Sequence, residues 1–581
     1  MTKLKSNQRY LFYKKHFKRI LPLIAILILL IIVGVVSGNI NPFIYGKIID
    51  FITAGDLDSI PAYIFVFLLI NLFAMLLSMV ESYIGQLVSY SVSSGVRKEL
   101  FAKITRMRFK SLDGYNTGEL ISRLDSDAGT IVDFFIDVAT SITLIVFNLV
   151  VSLYFVFTIS AALSFVSIFF VPASAIVTIA FRKRYRTLEM KQKEFFDKYM
   201  GFVNETFSNI RGIRSYRLED DADARFNGFI GKRLKLIKNS IRLNNTVTLL
   251  KNLISTTFGL LIIYLSAKYI IRGVMTIGSM VAFNTYINKL FDAVSRVLSM
   301  NTNMQGVTVA MDRVEKMMSE PDETPVYEGI PDSRGLQINN LCVDNVSFKY
   351  NEKYVLKSLD INCNKPGLYA VVGKNGCGKS TLAKIIMGFY DCENGEVTFG
   401  GHTVEDIGLT DLRQRITYIQ KEPFIINDSV MNNIKLASPD ATDDMIIGLC
   451  RKTGFHGFIE SLPEKYETNP GEGGSLFSSG QKQKLSLIRA LLPDSELVIL
   501  DEVTSDLDGT AEKEMVRYIR DMSKDRIVLF ISHRIASIMD SDKIFLLDDG
   551  CLSDSGTHSE LLDRSGLYRD LFRLEKEDAE S

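Results

Sequence analysis

The sequence predicts two folds in tandem: an α-helical transmembrane domain of six long helices, then an α/β domain built on buried parallel strands. Three observations predict it. Apolar runs long enough to cross a bilayer recur through the first ~300 residues and then stop. An apolar, strand-like run, Leu368 to Val372, passes through a glycine-rich turn into a helix-like run, Leu382 to Met387. A second apolar run, Leu497-Val498-Ile499-Leu500, ends in Asp501-Glu502, as a buried parallel strand does when it delivers carboxylates at its C-terminal edge.

A chain of 581 residues corresponds to about three to four domain-sized units. The boundaries read as a membrane domain over 1–317, a linker over 318–335 containing Pro321, Pro325 and Pro331, and a soluble domain over 336–581. Formal net charge is zero, which leaves no bulk electrostatic case for nucleic acid. All six cysteines lie between Cys342 and Cys551. Their spacing fits no zinc pattern, and a reducing compartment suits them. The basic residues before the first apolar run resemble a signal peptide, but the run extends too far and reads as a first membrane helix.

Six spans are expected, over 20–51, 62–92, 131–157, 161–181, 247–271 and 277–298, each with the ~20 mostly apolar residues a bilayer requires. Lysine and arginine placement orients them. Lys14, Lys15, Lys18 and Arg19 precede span one, whereas the connection after it carries Asp56 and Asp58 and no basic residue. Arg97, Lys98, Lys103, Arg106, Arg108 and Lys110 follow span two, and the stretch 182–242 is strongly basic again. Both termini are therefore expected inside, in the cell membrane. No proline interrupts 62–105, so one continuous helix there would be about 65 Å long, twice the ~30 Å hydrocarbon core. The spans are expected to continue as helices beyond the membrane. The breaks near 109–117 and 208–215 would then be turns placed to touch a cytosolic domain.

Asn39, Asn41, Glu81, Gln86, Asp133, Asp137, Lys251, Asn284, Asn288, Lys289, Asp292 and Arg296 are polar positions in or near the spans and candidates for an interior cavity. Glu81 leads, because it interrupts an otherwise apolar span. For each of them a bond between helices is the competing role.

The glycine-rich turn is Gly373-Lys374-Asn375-Gly376-Cys377-Gly378-Lys379-Ser380-Thr381. It fits G-x-x-x-x-G-K-[ST] in the strand–turn–helix context that the motif requires. Glycines allow successive N–H groups to turn inward, and the helix N-terminus adds positive potential, so the turn is built to hold phosphate. Lys379 can reach the β and γ phosphates, and the Ser380 hydroxyl can ligate Mg²⁺. Asp501 can hold Mg²⁺ through water, and Glu502 can orient or deprotonate the attacking water. His533 follows another strand, 527–531, and its strand-end position favours a γ-phosphate contact. Cys377 is either a small tolerated residue or a thiol activated by the helix N-terminus.

With these motifs on one chain, the sequence resembles an ATP-binding-cassette transporter half of the six-helix type found in multidrug, lipid and peptide exporters. The resemblance covers essentially the whole length and implies an α/β P-loop nucleotide-binding domain with a helical subdomain, using ATP and Mg²⁺. Tyr350, in Val346-Ser347-Phe348-Lys349-Tyr350, matches the family's adenine-stacking aromatic. Gln420, in Tyr418-Ile419-Gln420-Lys421, matches the glutamine linking Mg²⁺ and water to the membrane domain. Ser505-Asp506-Leu507-Asp508 resembles the loop that crosses the dimer interface, where Asp508 would contribute. Thr117-Gly118-Glu119-Leu120-Ile121-Ser122-Arg123-Leu124 and Glu205-Thr206-Phe207-Ser208-Asn209-Ile210-Arg211-Gly212-Ile213-Arg214 match stretches around the two coupling helices. The resemblance implies two cassettes that sandwich two ATP molecules, each phosphate loop completed by the partner's signature sequence.

The signature departs from the family's usual L-S-G-G-Q. Here it is Phe477-Ser478-Ser479-Gly480-Gln481. Ser478, Gly480 and Gln481 are kept as nucleotide contacts, and Ser479 replaces a glycine. The preceding Gly471-Glu472-Gly473-Gly474 lacks the family's arginine. Either the change is harmless, since Ser479 keeps its N–H, or it marks one subunit of an asymmetric pair. The reading favours a heterodimer over a homodimer. The expected function is ATP-driven export of an amphipathic or hydrophobic small molecule, peptide or lipid across the bilayer. Import of a metal–chelator complex is the alternative within transport. An ATP-gated channel or regulator is the alternative class, and intact Glu502 argues against it.

Overall fold

In the computed structural model, which describes residues 20–299, 304–323, 337–504 and 509–580, the uncharged run 21–36 opens helix α1 (Leu21–Ala54). Helix α2 (Ile60–Arg106) follows without interruption for 47 residues, about 70 Å at 1.5 Å per residue. The chain then breaks through a four-residue helix, α3 (Phe109–Leu112), and a short helix, α4 (Thr117–Ser122), whose N-terminus is capped by the Asn116 side chain. A π-turn at Arg123–Asp127 leads into α5 (Ala128–Ile159). Helices α6 (Ala161–Ile168), α7 (Phe170–Ser208), α8 (Ile210–Ser215) and α9 (Glu219–Ile271) follow, with the second break at the expected place, and α10 (Ile277–Ser299) and α11 (Met304–Ser319) complete the helical half.

Among the described residues, four stretches are long and apolar enough to cross a membrane: Leu21–Ala54, Ile60–Arg106, Thr117–Ile159 and Glu219–Ile271. Helices also occupy the two other expected spans, but there the criterion fails for identifiable reasons. The expected span 161–181 is divided at Phe169, and α7 runs on into Arg182, Lys183 and Arg184. The expected span 277–298 is α10, whose apolar face is diluted by Asn284, Asn288, Lys289 and Asp292.

The chain divides into two compact units, one of Met1–Ile104 with Asn116–Ser319 and the other of Thr105–Tyr115 with Glu320–Ser581. In the first, α1, α5 and α10 pack on one another, and Val156, Ile262, Phe283, Tyr286 and Ile287 are fully buried. Gly46 and Gly278 let α1 and α10 close up: a Cβ at Gly46 would lie 2.6 Å from the Gly278 carbonyl oxygen. Pro42 sits inside α1 and has no N–H, so the Gly38 carbonyl loses its helical donor. Lys289 of α10 replaces it, donating to Gly38 O at 2.8 Å and to Asn39 Oδ1 at 3.3 Å. Tyr286 donates to Asn39 O, and Asn39 Nδ2 donates to Asn148 Oδ1 at 3.1 Å.

Among the described residues, the second unit holds two sheets. Strands β1 (Leu341–Tyr350), β2 (Lys353–Cys363), β4 (Asn394–Phe399) and β5 (His402–Thr403) form an antiparallel sheet in the order β2-β1-β4-β5. The other sheet has the order β10-β9-β3-β8-β7-β6, with β3 (Gly367–Gly373), β6 (Ile416–Ile419), β7 (Leu497–Asp501), β8 (Ile527–Ile531) and β9 (Lys543–Asp548) parallel and β10 (Cys551–Gly556) antiparallel at the edge. Every residue of β3, β7 and β8 is buried, which is why these strands read as continuous apolar runs. Between the sheets lies α12 (Lys379–Ile386), its apolar residues in one core. A separate core of Val430, Ile434, Ile446, Cys450, Phe455, Ile459, Leu485 and Ile488 joins α13 (Val430–Lys435), α14 (Asp443–Lys452), α15 (His456–Glu460) and α16 (Ser479–Leu491) into the expected helical subdomain.

Candidate nucleotide site

Strand β3 delivers the phosphate loop at its C-terminal end, beside the ends of β8 and β7. Gly373 has no room for a side chain, since a Cβ would meet Leu547 O at 2.3 Å. Gly376 and Gly378 turn the loop with φ of +82° and +107°, and Lys379 then opens α12. Lys379 is buried and donates to Gly373 O at 2.8 Å and Lys374 O at 3.1 Å, spanning the loop from inside. Cys377 is packed in the core between the sheets, where burial pushes its thiol up against the pull of Lys379. That burial argues against the activated-thiol reading, because a thiol shut away from solvent is neither ionised nor reached by a reagent readily.

The carboxylate pair stands where β7 ends. Asp501 Oδ1 accepts from Ser380 Oγ at 3.2 Å, and Oδ2 accepts from Tyr418 OH at 3.3 Å. Burial pushes the Asp501 carboxyl up, with the Ser380 and Tyr418 hydroxyls and the Lys379 charge opposing it. Glu502 has a left-handed backbone, φ +52°, and its N–H donates to Ile531 O at 2.9 Å. His533 Nδ1 lies 3.6 Å from Glu502 Oε1, and Lys421 Nζ donates to Oε2 at 2.7 Å. Burial pushes the Glu502 carboxyl up, but Lys421, with help from His533 and Lys379, outweighs it and holds the group below its ordinary value. Lys379, Ser380, Asp501, Glu502 and His533 thus converge on the strand ends.

Gln420 follows β6 directly and is exposed. Tyr350 ends β1, with 37 % of its surface free and its ring edge-on to Phe348 and Tyr390. Ser478 caps α16: its hydroxyl accepts from the Gln481 N–H, and Gln481 Oε1 accepts from the Ser478 N–H. Ser479 is the first residue of that helix and takes no positive φ, so the position needs no glycine. Asp508 and its neighbours 505–507 lie outside the described residues, as do the basic residues 14–19 and the linker positions 324–335.

Sequence reading missed three contributors. Tyr418 shares Asp501 with Ser380, and Lys421 meets Glu502; their places beside the strand end and beside Gln420 were the available signal. The third is the aromatic pair Phe389-Tyr390 that receives the first break. Phe109 stacks on Phe389 with centroids 4.2 Å apart, Tyr390 donates to Asp113, and Arg108 pairs with Asp391 at 3.3 Å. Tyr390 also touches Tyr350, centroids 5.5 Å apart. The break is thus tied to the cassette by Arg108, Phe109 and Asp113, upstream of the motif at 117–124. Nearby, Arg413 grips Glu323 with two 2.8 Å bonds, and Glu323 N–H donates to Arg106 O.

Among the cavity candidates, Gln86 and Asp133 line an open cavity of about 520 Å³ with Tyr83, Tyr90, Ser93 and Arg97, and Ser89 donates to Asp133 at 2.7 Å. Asn39 and Lys289 are instead committed to the α1–α10 contact, and Asn41 pairs with Asn71 at 3.0 Å. The side chain of Arg296 lies outside the described residues.

A nucleotide-hydrolysing cassette following a membrane-embedded helical domain defines a transport ATPase. Residues 23–294 match the family model of the ABC transporter transmembrane region, and residues 356–505 match that of the ABC transporter cassette. The chain belongs to the ABC transporters, as a half carrying one domain of each kind. It is 29 % identical over 585 residues to YgaD of Bacillus subtilis strain 168, provisionally named a multidrug export ATP-binding/permease protein, covering 98 % of this chain and 99 % of that one. It is 28 % identical over 507 residues to a Staphylococcus aureus strain NCTC 8325 protein of the same provisional name, covering 85 % and 86 %. Its fold is that of a bacterial Atm1-family ABC exporter with ATP bound, with a TM-score of 0.79, 22 % identity and coverage of 96 % and 98 %.

Proposed function

We propose that this chain is half of a two-chain exporter that moves an amphipathic or hydrophobic compound outward, each cassette using Glu502 as the base for ATP hydrolysis. The convergence of Glu502 and His533 beside the Lys379–Ser380–Asp501 cluster carries the reading. Phosphate would sit on the loop amides at the start of α12 with Lys379 turned toward it. The hard-oxygen pair Ser380 and Asp501 fits Mg²⁺, which would neutralise phosphate charge; a buried carboxylate beside a hydroxyl is a donor set for that ion. Tyr350 would stack on adenine and Gln420 would orient water. Glu502 takes a proton from water as the water oxygen bonds the γ-phosphorus, and the bridging P–O bond breaks with its electrons remaining on ADP. Ser478, Gly480, Gln481 and Asp508 would serve the partner's nucleotide.

Export is supported by the provisional names of the relatives, which favour it over uptake of a metal chelate. The distribution of Lys and Arg supports cytoplasmic termini in the cell membrane. An unlike partner was expected from Ser479 and from the arginine missing in Gly471-Glu472-Gly473-Gly474; the ordinary helical backbone of Ser479 supports, as our reading, two identical chains. The purified chain in lipid nanodiscs should then hydrolyse ATP with Mg²⁺, and Glu502→Gln should lower turnover about 100-fold or more. Well-folded chain with no turnover would instead require an unlike partner. ATP-driven uptake of a lipophilic dye into inside-out vesicles checks the direction.

A further inference from the structure

Among the described residues, the turn that follows His533 is gripped by carboxylates from two distant helices. On its near side the histidine adjoins Ser532, which is buried and whose N–H donates to Val371 O of β3 at 3.2 Å. The Ser532 hydroxyl accepts from the Arg534 N–H at 2.9 Å, closing the chain around His533. The turn Ile535–Ser537 comes next. Glu512 of α17 (Gly509–Met522) pairs with the Arg534 side chain at 2.9 Å and accepts from the Ser537 hydroxyl. Glu575 of α18 (Gly566–Glu580) takes the backbone instead: the Ile535 N–H donates to Oε2, and the Ala536 N–H donates to Oε1 at 3.2 Å. A carboxylate that holds two successive N–H groups fixes the peptide planes between them, and such charge-assisted bonds are about twice as strong as neutral ones. The arm that carries Glu575 is itself anchored. Tyr568 is fully buried with its hydroxyl 2.8 Å from His558 Nδ1, and Leu571 and Phe572 pack on the core that contains Ile535 and Ile538.

We propose that Glu575, on the last helix, is a positioning residue that sets where His533 stands at the γ-phosphate position, through the backbone of the turn Ile535–Ser537. This rests on the reading of His533 as a γ-phosphate contact. The grip is static and belongs to the cassette with or without nucleotide. Its consequence is kinetic, because a group displaced by about 1 Å from a reacting centre can cost as much as 100-fold in rate. The phosphate loop and Tyr350, which would hold ATP, lie on other elements. Loss of Glu575 therefore falls on kcat and spares the KM for ATP.

The test is a double-mutant cycle on the reconstituted full-length transporter, with Glu575→Ala, His533→Ala and the double variant, read as radiolabelled phosphate release across a range of Mg-ATP. Glu575→Ala should lower kcat about five- to twentyfold and leave the KM for ATP within about twofold. Glu575→Gln keeps an oxygen that accepts from the turn and should recover most of that loss. His533→Ala should lower kcat about 100-fold. On that background, Glu575→Ala should change kcat by less than about twofold, because the side chain it positions is gone. Glu575→Met replaces the alanine variant if that aggregates, with the same expectations. Equal losses on both backgrounds overturn the proposal, as does a loss that appears in KM or wild-type turnover in Glu575→Ala. Wild-type turnover in His533→Ala overturns the reading of His533 itself, a failure that requires no change at Glu575.

Discussion

A methyl group on Gly378 would meet Leu356 Cδ2 at 2.6 Å and Val355 O at 3.0 Å, on a backbone at φ +107°. Leucine could move, but the backbone oxygen of β2 could not, and the φ alone is hostile to an L side chain. Gly378→Ala should cost roughly 1–3 kcal/mol and reduce nucleotide binding more than global stability, because the strain falls on the amides that would hold phosphate. Calorimetric ATP binding set beside a thermal melt checks this. Cys377, next to it, makes the opposite point. Its thiol is buried and pushed above its ordinary value, whereas Cys551 is exposed. Maleimide should label Cys551 well before Cys377 and leave ATP turnover intact, as peptide mapping alongside the assay would record. The loop's residue types were legible in the sequence because the backbone geometry demands them at fixed spacing. Lys421 was not, because its contact with Glu502 joins residues 81 positions apart in the chain.

Among the elements, α2 was the most legible: no proline, an apolar first half and a charged amphipathic continuation determine one long helix. Helix α10 was the least, because its polar residues read equally well as cavity lining or as packing. Lys289 settles toward packing, since Pro42 leaves the Gly38 carbonyl without a donor and the ammonium supplies one. Lys289→Met would leave Gly38 O and Asn39 short of partners in a low-dielectric interior, at a cost of about 1–3 kcal/mol. Pro42→Ala returns an N–H to the same carbonyl. The double variant should therefore lose less stability than Lys289→Met alone, a non-additivity that thermal unfolding in detergent can measure. Additive losses would mean that Lys289 does not serve the proline break.

At the scale of the whole molecule, chemistry at the cassette must reach the membrane helices, and the chain itself provides one route. Helix α2 ends at Arg106, and the next residues are held by the cassette: Phe109 on Phe389, Asp113 by the Tyr390 hydroxyl, Arg108 by Asp391. The sequence showed that a break had to fall there, because a helix that long must turn beyond the bilayer, but the receiving aromatics became visible only with the fold. Tyr390 touches the proposed adenine platform Tyr350 on its other side, so nucleotide occupancy and the foot of α2 share one side chain. Phe109→Ala removes a stacked aromatic pair worth about 0.5–1.5 kcal/mol beyond its buried area. It leaves the phosphate loop, Asp501 and Glu502 untouched. ATP turnover should therefore stay within about twofold of wild type, because a docking loss of that size does not reach the hydrolytic groups. Dye transport per ATP hydrolysed should fall about two- to thirteenfold, the factor by which a loss of that energy shifts an equilibrium between docked and undocked arrangements. Parallel ATPase and vesicle-transport assays on one reconstituted preparation give the ratio directly. Equal losses in both rates would make Phe109 a stability residue of the cassette, and two unchanged rates would assign the transmission to the other break, at α8.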